Sequence, residues 1–365
     1  MTQQFTGTMP VAERHRFAVE PLADWLRSHI DRFAGPLTVE QFRGGQSNPT
    51  YLLSTPTARY VMRSKPAPLA QLLPSAHAIE REYRVMAALH PAAVPVPRMF
   101  ARCDDEAIIG RAFFIMDYVP GRVLWDQTLP AMSKPERAAI YQEMNRVIAA
   151  LHALDPAQIG LADYGRPGNY LARQIARWSA QFRASETEPI EAMHQLMAWL
   201  PGRIPATGSV AVVHGDYRLD NLVFHPTEPR ILAILDWELS TLGDPLADFS
   251  YHCLSWHIPP GRFRGIAGED IAALGIPSEH DYVRAYTEHS GRSVPADSWD
   301  FYIAYNLFRL AAILQGIMKR AVEGIAASDQ ALEAGSRARW LAEAGWQIAC
   351  RLEAGGDQRS AMNPN

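Results

Sequence analysis

Apolar positions change their period partway along the chain, and the change predicts two regions of different construction. Leu22, Trp25, Leu26, Ile30 and Phe33 recur close to a helical period, which predicts a helix over Pro21–Phe33 ended by Gly35-Pro36. Three short β-like runs follow, Leu37–Phe42, Thr50–Ser54 and Arg59–Arg63. Turn chemistry separates them, first Gly44-Gly45-Gln46-Ser47-Asn48-Pro49 and then Thr55-Pro56-Thr57. Ile79, Tyr83, Met86 and Leu89 share one face of a helix over His77–Leu89. Pro91–Pro97 stops that helix and leads into a strand pair closing with Ala112–Met116.

Asp117–Gly121 reads as the linker, because helices dominate after it: Ser133–Leu151, Tyr170–Phe182, Tyr282–Glu288, Trp299–Met318 and Gln330–Arg351. Two short buried β runs, Val210–Val213 and Ile231–Leu235, flank a polar loop in this region. The expectation is an α+β chain of two lobes, a small β-rich one over residues 1–117 and a larger, mainly helical one over 118–365.

Composition narrows the classes. Hydrophobic residues at 48% and charged residues at 20% fit a folded soluble protein and exclude a disordered or collagen-like chain. The 35 basic residues fall short of the 39 acidic ones by four, a net charge of −4 with no electrostatic pull toward nucleic acid or an anionic membrane. Cys103, Cys253 and Cys350 form neither a disulfide framework nor a zinc knuckle. The first twenty residues lack the apolar core of a signal peptide, and Tyr302–Met318 is interrupted by Asn306, Arg309, Gln315 and Gly316, as in a buried helix. A cytoplasmic location is expected. Lys65, Lys134 and Lys319 are the only lysines, so a site usually served by lysine can here use arginine.

Candidate chemistry concentrates in Val213-His214-Gly215-Asp216-Tyr217-Arg218-Leu219-Asp220-Asn221 and in Asp236, at the end of the second buried run. A carboxylate plus an amide oxygen suits Mg²⁺, a hard ion that keeps waters and phosphate oxygens in its shell. Asp216 then remains to orient and deprotonate an attacking hydroxyl. On a strand, residues i and i+2 share a face, so Arg63 and Lys65 are both candidates for a phosphate-facing cation. Arg63 lies within the apolar run and is favoured; Lys65 abuts Pro66 at the strand end.

His-Gly-Asp-x-x-x-x-Asn, then Leu235-Asp236-Trp237-Glu238, then Gly243-Asp244-Pro245-Leu246-Ala247-Asp248 resembles the aminoglycoside phosphotransferase family within the protein-kinase-like fold. The resemblance implies a bilobal kinase-like architecture, ATP and Mg²⁺ as cofactors, Asp216 as the catalytic residue, and Asn221 and Asp236 as metal ligands. It implies a phosphate-covering turn at Gly44, Gly45, Ser47 and Asn48, with Arg63 as the third-strand cation and Glu82 as its helix partner. Met116–Val119, with Met116 and Tyr118 among them, would receive adenine. Gly44–Tyr51, Arg63-Ser64-Lys65-Pro66 and Leu73–His77 resemble the branch fused to, or encoded beside, acyl-CoA dehydrogenases. That branch implies a small-molecule hydroxyl acceptor of the hydroxyacyl-CoA kind, such as a 4-hydroxyacyl-CoA, or a hydroxy acid, and a functional link to such a dehydrogenase. Two departures stand out: Asp236-Trp237-Glu238 replaces Asp-Phe-Gly, and the nucleotide turn is not GxGxxG.

Other readings stay open. Glu186, Glu188 and Glu191 would suit an amine-bearing aminoglycoside acceptor, or simply form a solvated helix start. A nucleotide-binding regulatory module without turnover is a rival of another class; a metal-dependent hydrolase lacks HExxH and GxSxG. His214 reads as structural, Asp244 and Asp248 as helix caps that brace the loop, and His252, Cys253 and His257 as core rather than metal ligands. Arg218 and Arg309 each fit either an internal pairing or an acceptor contact.

Overall fold

The computed structural model describes residues 7–43, 48–66, 79–92, 94–166, 168–206, 209–324 and 330–362, without the side chains of residues 296 and 355–362. Its strands and helices, numbered in chain order, begin with β1 (Thr8–Met9), α1 (Val19–His29), β2 (Thr38–Phe42), β3 (Thr50–Ser54), β4 (Arg59–Ser64), α2 (Ile79–Leu89), β5 (Met99–Cys103), β6 (Phe113–Asp117) and β7 (Arg122–Val123). There follow α3 (Lys134–Ala153), α4 (Tyr170–Ser185), α5 (Glu191–Trp199), β8 (Ala211–Val213), β9 (Leu222–Phe224), β10 (Ile231–Ile234), β11 (Thr241–Gly243) and α6 (Pro245–His252). The chain ends with α7 (Ile271–Leu274), α8 (Glu279–Ser290), α9 (Ala296–Val322), α10 (Ala331–Ser336) and α11 (Ala338–Met362). They form two compact units, one made of 1–125, 157–162 and 218–240, the other of 126–156, 163–217 and 241–365.

The first unit is built on an antiparallel sheet in the order β1-β2-β3-β4-β6-β5. Alternation along β4 divides its side chains: Tyr60 and Met62 join Tyr51, Leu53, Phe113 and Ile115 in a core roofed by Leu22 and Leu26 of α1. Val61 and Arg63, offset by one residue, take the opposite face of the strand. The expected helix over Pro21–Phe33 is shorter at its end: Ile30 is already extended and Arg32 is left-handed (φ 63°). Ile30 and Phe33 nevertheless remain buried in the core, so the apolar period outlasts the helix.

A second, small sheet in this unit has the order β10-β9-β7. The apolar run at 231–235 therefore pairs with Leu222–Phe224, inside what the sequence presents as a polar loop. Val210–Val213, the other apolar run, belongs to the second unit, where β8 pairs with β11.

In the second unit, α9 packs against α4, α6, α10 and α11. By length and composition α9 is able to cross a membrane, but 83% of its most apolar window is buried inside the protein, as a core helix requires. The predicted helix over 330–351 is two helices. Gly335 stands just before the break, where an added Cβ would come within 2.6 Å of Met318 Cβ, so α10 lies against α9 at a distance only glycine permits.

Candidate active site

The first unit gathers charge around one arginine. Arg63 is buried on β4, with Nη2 2.9 Å from Asp236 Oδ1 and 3.4 Å from Glu238 Oε2. Its Nε is 2.9 Å from Glu82 Oε2, a close charge pair although the N–H is not aimed for a hydrogen bond. Asn48, fully buried, donates to the other oxygen of Glu82 at 3.0 Å. Burial works to lower the Arg63 pKa, but Glu82, Asp236 and Glu238 outweigh it and the value is raised. Burial raises the Glu82 pKa, against the pull of Arg63. Lys65 lies beyond the strand end, half-exposed, and pairs with Glu80 at 2.5 Å. Of the two candidate cations, Arg63 is thus the one drawn into the cluster.

The backbone brings Asn221 to the same place. β9 and β10 pair with Leu222 opposite Ile234, and Leu235 N then donates to Asn221 O at 2.8 Å, which sets Asp236 beside that rung. Asp236 is left-handed (φ 65°), a conformation that Asp and Asn tolerate better than other side chains. Three carboxylates about one guanidinium leave a local surplus of negative charge, and the available donors are hard oxygens. This set fits Mg²⁺ held by Asn221 and Asp236 with the remaining positions left to water and phosphate oxygens. Among the described residues no cluster of three or more His, Cys, Asp or Glu is shaped for a metal.

Gly44, Gly45 and Ser47 lie outside the described residues. Asn48 faces inward and supports Glu82. Met116 is buried on β6, opposite Val61 of β4, and Tyr118 follows the strand with its ring 4.2 Å beneath the Arg59 guanidinium.

In the second unit the loop after β8 is held by its backbone. Asp248, on α6, accepts from His214 N (2.7 Å) and Gly215 N (2.8 Å), and His152 lies 3.2 Å from the same carboxylate. Burial alone would raise the Asp248 pKa, but the bonds and charge of His152, with His214, reverse this and lower it. Gly215 is left-handed (φ 83°), and His214 Nδ1 accepts from Asp216 N at 3.1 Å. Asp216 itself receives a hydrogen bond from Tyr251 Oη at 2.8 Å. Asp244 caps α6 through Leu246 N and accepts from Tyr302.

Several contacts were not apparent from sequence. Tyr251 lies 35 residues from Asp216, and no local pattern marks it. Arg309 donates to Gly215 O at 2.5 Å, whereas Arg218 approaches Asp220 at 3.4 Å. His252 meets Tyr282 Oη at 2.7 Å and His257 meets Glu279 at 2.7 Å, so the two histidines have separate partners. Glu186 is bonded to His194 and Glu188 to Arg339.

Comparison with known proteins identifies the family and the fold. The family model described as "Phosphotransferase enzyme family" matches residues 38–288. The chain is 43% identical over 348 residues to mouse acyl-CoA dehydrogenase family member 10, covering 94% of this chain and 32% of that protein. It is 37% identical over 357 residues to human acyl-CoA dehydrogenase family member 11, covering 95% and 45%. The chain thus spans less than half the length of these curated relatives. A crystal structure from Ralstonia eutropha, provisionally named an aminoglycoside phosphotransferase, superposes with TM-score 0.85 at 61% identity, covering 92% of this chain and 99% of its own. Spectinomycin phosphotransferase, solved with ADP and spectinomycin, shares the fold at TM-score 0.60 and 10% identity, covering 90% and 98%. With its kinase-like fold and a model match over most of its length, the chain belongs to the phosphotransferase enzyme family.

Proposed function

We propose that this protein transfers the γ-phosphoryl group of ATP to the hydroxyl of a small molecule, with a hydroxyacyl-CoA or hydroxy acid as acceptor. The observation that carries the reading is the cluster in which buried Arg63 meets Glu82 and Asp236 with Asn221 one rung away. Arg63, fixed by Glu82 and Asn48, would bind phosphate oxygens; Asn221 and Asp236 would hold Mg²⁺. The ion, when bound with nucleotide, supplies positive charge to the phosphate oxygens. Asp216 would orient the acceptor hydroxyl and take its proton as the new P–O bond forms and the bond to the ADP oxygen breaks. Tyr251 and the braced loop keep that carboxylate in one orientation, so positioning and electrostatics supply most of the rate.

The hydroxyacyl acceptor is supported by the relatives, both named as acyl-CoA dehydrogenase family members. A working link to such a dehydrogenase belongs to the same proposal. Antibiotic phosphorylation is less favoured, since two of the three acids suited to receive amines, Glu186 and Glu188, already have imidazole or cationic partners. ADP release from Mg·ATP is to be measured against hydroxyacyl-CoAs, free hydroxy acids and aminoglycosides, with Asp216→Asn as control. Release that needs a hydroxyacyl acceptor and disappears in the variant is expected. Bound ATP with no release for any acceptor would instead favour a regulatory module.

A further inference from the structure

Among the described residues of the second unit four buried side-chain atoms make no hydrogen bond, Asn306 Oδ1 and three donors: Trp178 Nε1 on α4, and Tyr305 Oη and Arg309 Nε on α9. Buried polar groups are ordinarily satisfied, so three together call for an explanation. Arg309 ties them into one cluster. Its guanidinium carbon lies 5.7 Å from the centre of the Trp178 ring and 4.8 Å from that of Tyr251, and Tyr305 is one helical turn before it on α9. The residues are 5%, 1% and 6% exposed respectively.

The charge is as unusual as the missing bonds. Arg309 forms no ion pair among the described residues; Nη2 goes to Gly215 O, while Nη1 is neither sealed nor bonded. Burial works against its charge, but the groups around it outweigh this and its pKa is raised. The neighbouring phenols of Tyr305 and Tyr170 have pKa values raised by burial and are neutral at ordinary pH, so the nearby negative charge that acts on Arg309 is Asp216. Arg177 adds a second cation, 5.1 Å from the Trp178 ring.

We propose that Trp178, Tyr305 and Arg309 form an acceptor subsite that receives an electron-rich acyl oxygen, either a carboxylate or a thioester carbonyl. An indole N–H and a guanidinium can only donate, and a phenol can donate, so the group that completes them is an oxygen acceptor and not an ammonium. The contact of Arg309 with Gly215 O sets the subsite one residue from Asp216, and the aromatic rings offer apolar walls to the rest of the acceptor. This deepens the proposed function and rests on the reading of Asp216 as the residue that meets the acceptor hydroxyl. The subsite then recognises the acyl end of the molecule whose hydroxyl is phosphorylated.

The test uses the full chain with a medium-chain hydroxy acid, its CoA thioester, the matching diol that lacks the acyl oxygen, and kanamycin. Trp178→Phe and Tyr305→Phe remove one donor each and take no bond from the protein, so their thermal midpoints should not fall. Each should raise the acceptor KM about tenfold with the ATP KM unchanged. Arg309→Gln should raise it about 10–100-fold, and Arg309→Lys should recover part of the loss. The acid and thioester arms show which acyl oxygen is taken; the diol and kanamycin should be poor acceptors. Turnover of the diol equal to that of the acid, or Phe variants with unchanged acceptor KM, would overturn the subsite, as would midpoints that fall while KM stays the same. Calorimetry without nucleotide separates the two proposals. Thioester binding that the variants weaken, with no ADP formed by the wild type, would keep the subsite and remove the phosphotransfer reading. Normal turnover with indifferent variants would do the reverse, and a wild type that binds no acyl compound would remove the subsite.

Discussion

Arg63 and Arg309 are both buried arginines, yet their surroundings are opposite. Arg63 stands among three carboxylates and an ordered amide; Arg309 has aromatic rings, one backbone carbonyl and unfilled donors for neighbours. A guanidinium compensated by acids in its own unit is held in place whether or not a ligand is present. One that lacks a paired acid gains most when a ligand brings an electron-rich oxygen. The pair separates a cation that the fold fixes before any ligand arrives from one that, on the proposed reading, a ligand completes.

The largest expected effect bears on the chemistry that both would serve. Asp216→Asn should lower kcat by a factor on the order of 10²–10⁴ with ATP binding nearly intact, since it removes the base and keeps the shape. Stopped-time ADP assays beside ATP titration check this, and full turnover in the variant would remove Asp216 from the mechanism. Arg63→Met comes next. It strands Glu82 in a buried position and should cost about 3–5 kcal/mol of stability, measured by denaturant unfolding. A variant as stable as the wild type would break the contrast at its first half.

A pH titration sets the scale for the second unit. Burial lowers the His252 pKa to about 4, with Asp248 and a backbone bond to Tyr217 pulling the other way. Its unfolded value is 6.5, so the unfolded chain binds the extra proton over that interval. Stability should therefore fall as pH drops from 6.5 toward 4, by an amount on the order of 3 kcal/mol at most. His252→Gln should flatten that slope, and an unchanged slope would show that other groups carry it. Arg309→Met is expected to have the smallest effect, no more than about 1–2 kcal/mol, because it gives up one carbonyl contact and relieves an unpaired buried charge. A loss as large as that of Arg63→Met would erase the difference between the two arginines.

The sequence exposed these features unequally. β3 occupies the span its alternation predicts, and the strand face shared by Val61 and Arg63 follows from the same two-residue period. The tightness of the Arg63 cluster also has a local origin, since Glu82 opens a helix of regular period. Leu222–Phe224 was hidden, because three residues between polar neighbours are too few to show a period, and only pairing with β10 makes them a strand. Arg309 stood out as a charge inside an apolar run, whereas Tyr251, Trp178 and Tyr305 were hidden for another reason. Each reads as an ordinary core residue of its own helix, and missing hydrogen bonds become visible only when α4, α6 and α9 are packed together.

The left-handed backbone at Asp236 governs which substitutions there can be interpreted. An alanine or glutamate would change the charge or reach of the side chain and strain the main chain at the same time, mixing two effects in one measurement. Asparagine fits the same twist, so Asp236→Asn alters charge alone. The same tolerance describes how such a protein could fall silent in the course of descent: one base change from Asp to Asn would withdraw the carboxylate while leaving the fold around Arg63 comfortable.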